Sequence, residues 1–479
     1  MKRTILILIF SLCLVISTLS ASIDELTTKS SDKPHTSFIK MLKFNQWLMD
    51  RGLNYRANCS EKVSGNTLFK KYCFDKDNKP VWKDKKNNLK VKKYKIWNIP
   101  WKENPDRDTL IYYLYKYQIS HLNKQKGTYQ WNKYRIRPSE EPYEFKKSLI
   151  NYKTVDDQMQ SKAVISYLYS EGDTIKVDKL SPQERFGEFL DNKSMFRSRS
   201  MGKSMVSYVL GHAICNGYID GIDSKISDWP LVQNTLYEDQ KLIDLLNMAA
   251  GDQKIANESS QTTKFVLSDH ETKTIKDNMK LFKNKKKGFS KYNYNGLVTN
   301  IIFNYILFKS GHSEFKDLLD KTFREKAKIK DGVYFFRLKE PSIYGNASYT
   351  FYATRYDYLR IAKAIMNDYQ NQTCVGKYLK DIYEHRINKG VTESNLGNND
   401  YYTEPSFNFT FSYGGQFHMD YPGLRNKVVF GLGGHGGQAI LIDMDDSRIV
   451  VLNAIFYNNR KYNYNVKDLL IHPIEKGIN

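Results

Sequence analysis

The chain switches between stretches with the two-residue period of strands and stretches with the period of a helix. Two apolar runs, at residues 163–169 and 174–177, flank Glu171-Gly172-Asp173, a pattern typical of a β-hairpin. A short strand-like segment at 195–197 then leads into an apolar-periodic stretch at 203–218. This order predicts a hairpin followed by a long helix, which Gly217 ends.

The second half of the chain repeats both patterns in a different order. From about 220 to 410, helical stretches alternate with polar loops, for example at 240–250, 297–309 and 356–369. Strand patterns return at 409–414, 416–421, 428–430, 439–442 and 449–452, before a closing helix at 466–471. The fold class that follows is α/β (α+β): an antiparallel sheet with strands from both ends of the domain, flanked by helices, with a mostly helical insertion between them.

The first 22 residues have the layout of a cleaved secretory signal. Lys2 and Arg3 precede an apolar run at 5–16, and small residues follow at 17–22. The apolar run is short for a membrane span, and no later stretch has the required length. We therefore expect an exported protein, periplasmic or secreted, without a transmembrane span after removal of the signal; an uncleaved N-terminal anchor is the alternative.

Charge and tryptophan set residues 23–150 apart as a basic, aromatic N-terminal extension to the main domain at 151–479. The formal net charge is +22, with a dense lysine run at 83–95, and five of the six tryptophans lie in this section. A helix is predicted at 108–122. Such a surface could hold an anionic cell-envelope polymer, although a solvated lysine-rich surface is the more ordinary explanation; no nucleic-acid partner is expected.

Four cysteines remain after the signal. Cys59 and Cys73 flank a short polar loop and could form a local disulfide, which the sequence does not decide. Cys215 falls on the predicted helix, where a buried apolar thiol is expected. No spacing indicates a metal site, and no cofactor is expected.

The first candidate for chemistry is Ser200-Met201-Gly202-Lys203. On a helix, residues three apart share a face, so the Ser200 hydroxyl and the Lys203 amine can meet, and a buried lysine can act as the base that activates serine. The Ser-x-x-Lys pattern also occurs at 30–33 and 313–316, but only the copy at 200 follows a strand and opens a helix. The alternative is a capping serine with a solvated lysine.

A glycine-rich run, Gly431 to Gln438, lies between two predicted strands. It contains a formal GxGxxG, but the next element is a strand, so a dinucleotide loop is rejected. A glycine-lined strand edge can instead approach a substrate, and the Gln438 and Ser200 N–H groups could form an oxyanion hole. His435, followed by Gly436 and Gly437, would face the cleft or sit in a turn.

A polar aromatic loop before the helix at 297–309 supplies the third candidate. A tyrosine near a lysine can act as a phenolate or proton relay, since the ammonium lowers its pKa. Tyr294 is the first choice because it lies immediately before the helix, and Tyr292 is the fallback.

These three pieces in this order resemble the penicillin-recognising serine hydrolases: class C β-lactamases, D-alanyl-D-alanine carboxypeptidases, esterases and 6-aminohexanoate-dimer hydrolases. The stretches at 217–223, 245–251 and 353–359 look similar too, and the resemblance covers about 160–475. It implies a β-lactamase-like fold and acyl transfer through an ester on Ser200, with Lys203 as base, Tyr294 as proton relay, and Ser200 and Gln438 N–H groups holding the oxyanion.

Two positions depart from the group's pattern. Gly296 stands where an asparagine often contacts substrate, so that contact is absent or comes from Asn295. His435-Gly436-Gly437 replaces Lys-Thr-Gly, which removes a cation that commonly meets a substrate carboxylate. These departures favour a small ester or uncharged amide over β-lactams or D-peptides.

The sequence thus predicts a cofactor-free exported hydrolase of a small amide, ester or peptide-like substrate. The alternative is a catalytically weak or silent envelope-binding protein that keeps the fold. The acyl group, the leaving group and the oligomeric state are not specified by any motif.

Overall fold

A computed structural model describes residues 133–187, 190–255, 275–337, 347–390, 410–455 and 463–478. The predicted signal at 1–22, the lysine run, the helix at 108–122 and Cys59 and Cys73 lie outside these residues. In the described part, no helix combines the length and apolar character needed to cross a bilayer.

The larger sheet has nine strands in the described residues and joins both ends of the domain. Its order is β2-β4-β3-β13-β12-β11-β10-β9-β8, and all neighbours are antiparallel except β2 and β4. The strands are β2 (Lys146–Lys147), β3 (Val164–Glu171), β4 (Thr174–Leu180), β8 (Ile387–Asn388), β9 (Ser412–Gly414), β10 (Phe417–Met419), β11 (Val429–Gly434), β12 (Gln438–Asp443) and β13 (Arg448–Ala454).

This sheet confirms the predicted architecture. The hairpin β3–β4 turns at Gly172, whose φ of 55 suits a glycine. Strand β13 pairs with β3 on one side and β12 on the other, so the N-terminal hairpin and the C-terminal strands share one sheet. Both faces are covered, which explains why β11, β12 and β13 are almost continuously apolar and buried.

A second, four-stranded antiparallel sheet carries the approach to Ser200. Its order is β1-β6-β7-β5, and its strands are β1 (Lys133–Ile136), β6 (Val333–Arg337), β7 (Ala347–Thr354) and β5 (Met195–Arg197). Strands β6 and β7 lie inside the region predicted as mostly helical; their runs of aromatic residues lack the strict alternation that marks a half-buried strand. Strands β1 and β2 belong to the section 23–150 by sequence, yet each pairs with the main domain.

Helices pack against and between the sheets. They are α1 (Lys153–Ser161), α2 (Met201–Cys215), α3 (Leu242–Leu246), α4 (Ile275–Met279), α5 (Leu297–Ser310), α6 (His312–Leu319), α7 (Arg355–Gln370), α8 (Cys374–Glu384) and α9 (His472–Lys476), with a wider helical turn at Asp320–Lys326 and at Lys467–Ile471. The closing helix predicted at 466–471 thus continues to Lys476.

Helix α2 occupies the centre of the molecule. Every residue from Met201 to Ala213 is buried, since α2 contacts α5, α8, β7 and β11. A helix that is apolar on all sides belongs in a core, and this burial exceeds the one-sided amphipathic pattern predicted from the sequence.

The expectation for Cys215 is wrong. Its sulfur forms a disulfide with Cys374, with the two Cα atoms 5.8 Å apart, a normal spacing for such a bond. The bond joins the last residue of α2 to the first residue of α8. Because 159 residues separate the partners, no local spacing could indicate the pair.

Candidate active site

Backbone geometry places Ser200 at a sharp turn between a strand and a helix. Strand β5 pairs with β7, and the Ser198 N–H donates to the Phe351 carbonyl at 2.8 Å. Arg199 then adopts a φ of 52, a left-handed conformation that is uncommon for a residue other than glycine. Such strain is often found at functional positions, and here it turns the chain directly into α2.

The Ser200 side chain does not cap the helix. Ser200 precedes the first residue of α2, but its hydroxyl makes no capping hydrogen bond. Instead, the Lys203 Nζ donates to the Ser200 Oγ at 3.2 Å. The sequence predicted this meeting of serine and lysine on one face, and the alternative of a capping serine with a solvated lysine does not fit the geometry.

Lys203 lies in an aromatic pocket. Its side chain is only 2% exposed, and its Nζ lies 4.0 Å from the ring centre of Tyr349 and 4.8 Å from that of Tyr294. Burial lowers the pKa of Lys203 from 10.5 to about 7, because desolvation disfavours the ammonium. A large fraction of the amine is therefore neutral, and able to accept a proton, near neutral pH.

Tyr294 completes the group, while Tyr292 does not. A hydrogen bond links Tyr294 and Ser200 and lowers the pKa of the phenol, but desolvation acts more strongly and raises that pKa to about 12. The expected phenolate is therefore wrong: Lys203 does not hold the pKa of Tyr294 down, and the hydroxyl stays protonated at neutral pH. Tyr292 packs behind it, 6.4 Å away between ring centres.

The site opens to solvent at Tyr294. Its side chain is 39% exposed, while its inner side packs on Tyr413 and His418, with ring centres 5.9 Å and 6.1 Å away. Ser200 is partly exposed and Lys203 is buried behind it. The arrangement can thus present a hydroxyl to solvent while shielding its base from water.

The glycine-rich strand edge lies beside the turn that precedes Ser200, as predicted. A Cβ added to Gly434, the last residue of β11, would come within 2.5 Å of the Ser198 carbonyl oxygen and 3.2 Å of the Arg199 Cβ. Only glycine permits this approach. Gly436 and Gly437 follow with φ of 93 and 88 in the turn to β12. Because the element after this turn is a strand and not a helix, the run is not a dinucleotide loop.

His435 and Gln438 have different environments at this turn. The His435 side chain is exposed at the hairpin turn. The Gln438 side chain is buried and held by β13, where its Nε2 donates to the Ala454 carbonyl at 2.7 Å and its Oε1 accepts from Asn453 at 2.9 Å. This leaves the main chain of Gln438 as the part relevant to an oxyanion.

Asn295 has a structural role. Its Nδ2 donates to the Asp252 carboxylate at 3.1 Å, and its Oδ1 accepts from the Val298 N–H at 3.1 Å. The side chain therefore caps α5 and joins it to the preceding loop, and both ends of its amide are engaged within the protein.

Sequence reasoning missed several residues near the reactive group. Tyr349 covers Lys203 from β7, and a chain of contacts runs behind Tyr294 from Lys389 through Thr410 to His418, with Lys389 donating to Thr410 at 2.8 Å. Burial, with nearby Lys389 and Lys203, lowers the pKa of His418 well below its usual value. No spacing signal could link these positions, because each comes from a different strand or loop. Among the described residues, no three His, Cys, Asp or Glu side chains form a group that could hold a metal ion.

No protein-family model matches the chain, and no curated protein sequence matches it. Solved structures similar to it include a penicillin binding protein from Bacillus halodurans, with 13% identity over 67% of this chain and 98% of that one and a TM-score of 0.46. A D-stereospecific amidohydrolase from Streptomyces sp. shares 12% identity over 69% and 100% of the chains, TM-score 0.46. A class C beta lactamase from Rhodobacter sphaeroides shares 11% identity over 67% of this chain and 99% of that one, with a TM-score of 0.44.

These proteins come from the group that the motifs resemble. All three TM-scores are below 0.5, so any function has to be inferred from the geometry of the site.

Proposed function

We propose that the protein is an exported serine hydrolase that cleaves a small amide or ester through an acyl-enzyme on Ser200. One observation carries the proposal: the Lys203 Nζ lies 3.2 Å from the Ser200 Oγ, and burial gives that amine a pKa of about 7. A base with such a pKa is suited to removing the serine proton at neutral pH.

Acylation follows from the placement of these groups. The Ser200 Oγ attacks the substrate carbonyl carbon while its proton moves to the neutral Lys203 amine. The oxyanion accepts hydrogen bonds from the Ser200 and Gln438 N–H groups, each worth about 10²–10³ in rate at such a site. The Lys203 proton then reaches the leaving nitrogen or oxygen through the Tyr294 hydroxyl, and the bond to the leaving group breaks.

Deacylation uses the same groups with water as the nucleophile. Lys203 takes a proton from the water, whose oxygen attacks the acyl carbon, and the Ser200 oxygen leaves with a proton returned by Lys203 or Tyr294. A protonated Tyr294, with a pKa of about 12, is suited to donating in both halves of the reaction.

The substrate class is the finer part of the proposal. His435 takes the place of a lysine, and Gly296 that of an asparagine, in the motifs that the chain resembles, which favours esters and uncharged amides. The disulfide Cys215–Cys374 is consistent with export, because such bonds persist mainly in oxidising compartments.

Covalent labelling tests the proposal. A fluorophosphonate should modify wild-type protein at Ser200, as mapped by mass spectrometry, and Ser200→Ala should abolish both the label and nitrophenyl-ester turnover. Ser313→Ala is the matched control: it lies in another Ser-x-x-Lys, but there Lys316 pairs with Asp320 at 3.5 Å. An adduct at another residue, or turnover that survives in Ser200→Ala, would contradict the assignment.

A further inference from the structure

Residues 283–291, here named the lysine loop, form an exposed basic surface that precedes Tyr294 in the chain. The loop contains Lys283, Lys285, Lys286, Lys287 and Lys291 and no acidic residue. All five lysines are exposed. Lys287 lies 3.3 Å from Asp244, whereas within the described residues the other four form no ion pair.

An aromatic side chain stands at the tip of this surface. Phe289 is 94% exposed, the highest value among the large exposed hydrophobic side chains of the described residues. Complete exposure of a phenylalanine forfeits the free energy that its burial would give, about 1.5–3 kcal/mol. Together with the five exposed lysines, this ring gives the loop an apolar group beside its positive charge.

The backbone holds the loop in place. The Asn284 N–H donates to the Asn234 carbonyl at 2.6 Å, and the Gly288 N–H donates to the Gly251 carbonyl at 2.9 Å. A Cβ on Gly251 would come within 2.6 Å of the Gly288 carbonyl oxygen, so the two segments meet closely. Phe289 therefore projects from a loop whose backbone is held in place by hydrogen bonds.

The lysine loop leads directly to the reactive group. Two residues after Phe289, the chain reaches Lys291 and then the tyrosine pair Tyr292 and Tyr294, of which Tyr294 bonds Ser200. The Asn293 N–H donates to the Met248 carbonyl at 2.7 Å and fixes this connection. A short segment of chain, held by this hydrogen bond, therefore connects the loop to the tyrosine pair.

We propose that the lysine loop docks the protein on an anionic lipid surface, with Phe289 inserted at the headgroup level and the lysines facing the negative charge. The two features together favour a bilayer over a soluble polyanion: lysines near anionic headgroups gain electrostatic free energy, and an aromatic ring gains by entering the interface. A polyanion would use the lysines and leave Phe289 in water.

Vesicle sedimentation with the full-length protein tests this. Wild type should bind phosphatidylcholine vesicles containing a quarter phosphatidylglycerol about tenfold more tightly than pure phosphatidylcholine vesicles, less so as NaCl is added. Phe289→Ser should weaken binding to the anionic vesicles about tenfold. Its turnover of a soluble ester should be unchanged, which shows that the variant folds.

A matched pair of triple variants removes the effect of overall charge. Replacing Lys285, Lys286 and Lys291 by Ser should weaken vesicle binding about tenfold or more, whereas replacing the exposed Lys146, Lys193 and Lys377 by Ser removes the same charge and should change it less than about threefold. Equal losses in both triples would overturn the proposal. Unchanged vesicle binding by Phe289→Ser would also overturn it. If wild type then bound polyglutamate as tightly as vesicles, the partner would be a soluble polyanion.

Discussion

At the scale of single residues, the proposed activation of Ser200 depends on the desolvation of the Lys203 amine. The amine is buried under Tyr349 and beside Tyr294, and no acidic group is among the causes of its shifted pKa; burial alone accounts for the value of about 7. Burial raises the pKa of the neighbouring Tyr294 but lowers that of Lys203, because it disfavours the charged form of each group.

The pH dependence of turnover follows from Lys203. The base must be neutral, so kcat/KM for an uncharged nitrophenyl ester should rise about tenfold per pH unit below pH 7 and level off above it. An exposed lysine would place this rise near pH 10.5. Lys203→Met should lose activity by about 10³-fold or more. A flat profile between pH 5.5 and about pH 8 would show that another group is the base.

The two tyrosines are distinguished by their hydroxyls. Tyr294→Phe keeps the ring against Lys203 but removes the hydroxyl that bonds Ser200, so kcat should fall about 10²-fold with little change in KM. Tyr292→Phe is the control and should change kcat less than about threefold. Similar losses of kcat in both variants would assign the effect to packing of the aromatic rings around Lys203.

At the scale of elements, the site depends on the close contact between α2 and β7. A Cβ added to Gly202 would lie 1.9 Å from the Tyr349 carbonyl oxygen. This contact is with backbone, so the helix would have to move. Packing against β7 therefore requires glycine at position 202, between Ser200 and Lys203.

Gly202→Ala should displace α2 and separate Ser200 from the Gln438 N–H, the second donor proposed for the oxyanion. We expect a loss of about 2 kcal/mol or more in the free energy of unfolding, measured by denaturant titration, together with strongly reduced labelling of Ser200. Gly221→Ala is the control, since no atom lies within 4 Å of its added Cβ, and it should stay within about 0.5 kcal/mol of wild type. Wild-type stability in Gly202→Ala would contradict the close packing.

The same elements show what sequence patterns can and cannot predict. The hairpin β3–β4, the C-terminal strands and the Ser200–Lys203 pair follow from local periodicity and spacing, and the structure contains them. Strand β7 was missed because a strand buried on both faces has no alternation. The raised pKa of Tyr294 and the position of Tyr349 depend on tertiary packing, which no local pattern encodes.

At the scale of the whole molecule, a covalent link fixes the far end of α2. The disulfide joins α2 to α8 across 159 residues, and bonds that close long loops are expected to restrict the unfolded chain most. Ser200 and Cys215 are at opposite ends of α2, so the bond stabilises the helix without touching the site.

Removal of this disulfide should destabilise the protein by up to about 4 kcal/mol. Cys215→Ala, Cys374→Ala and the double variant should show the same lowered melting temperature, because each lacks the same bond. Thiol trapping of unreduced, unfolded protein provides the control. Free thiols at both positions would contradict the pairing.

The order of strands in the larger sheet has a consequence for biosynthesis. Strand β13 lies between β3 and β12, so the hairpin made first finds its neighbour only when residues 448–454 have been synthesised. Pairing across so many residues slows folding. Ser200 and Lys203 emerge from the ribosome long before the Gly434 edge, which lies against the turn that precedes them. A nascent chain therefore carries the proposed nucleophile before the second wall of the site has been made.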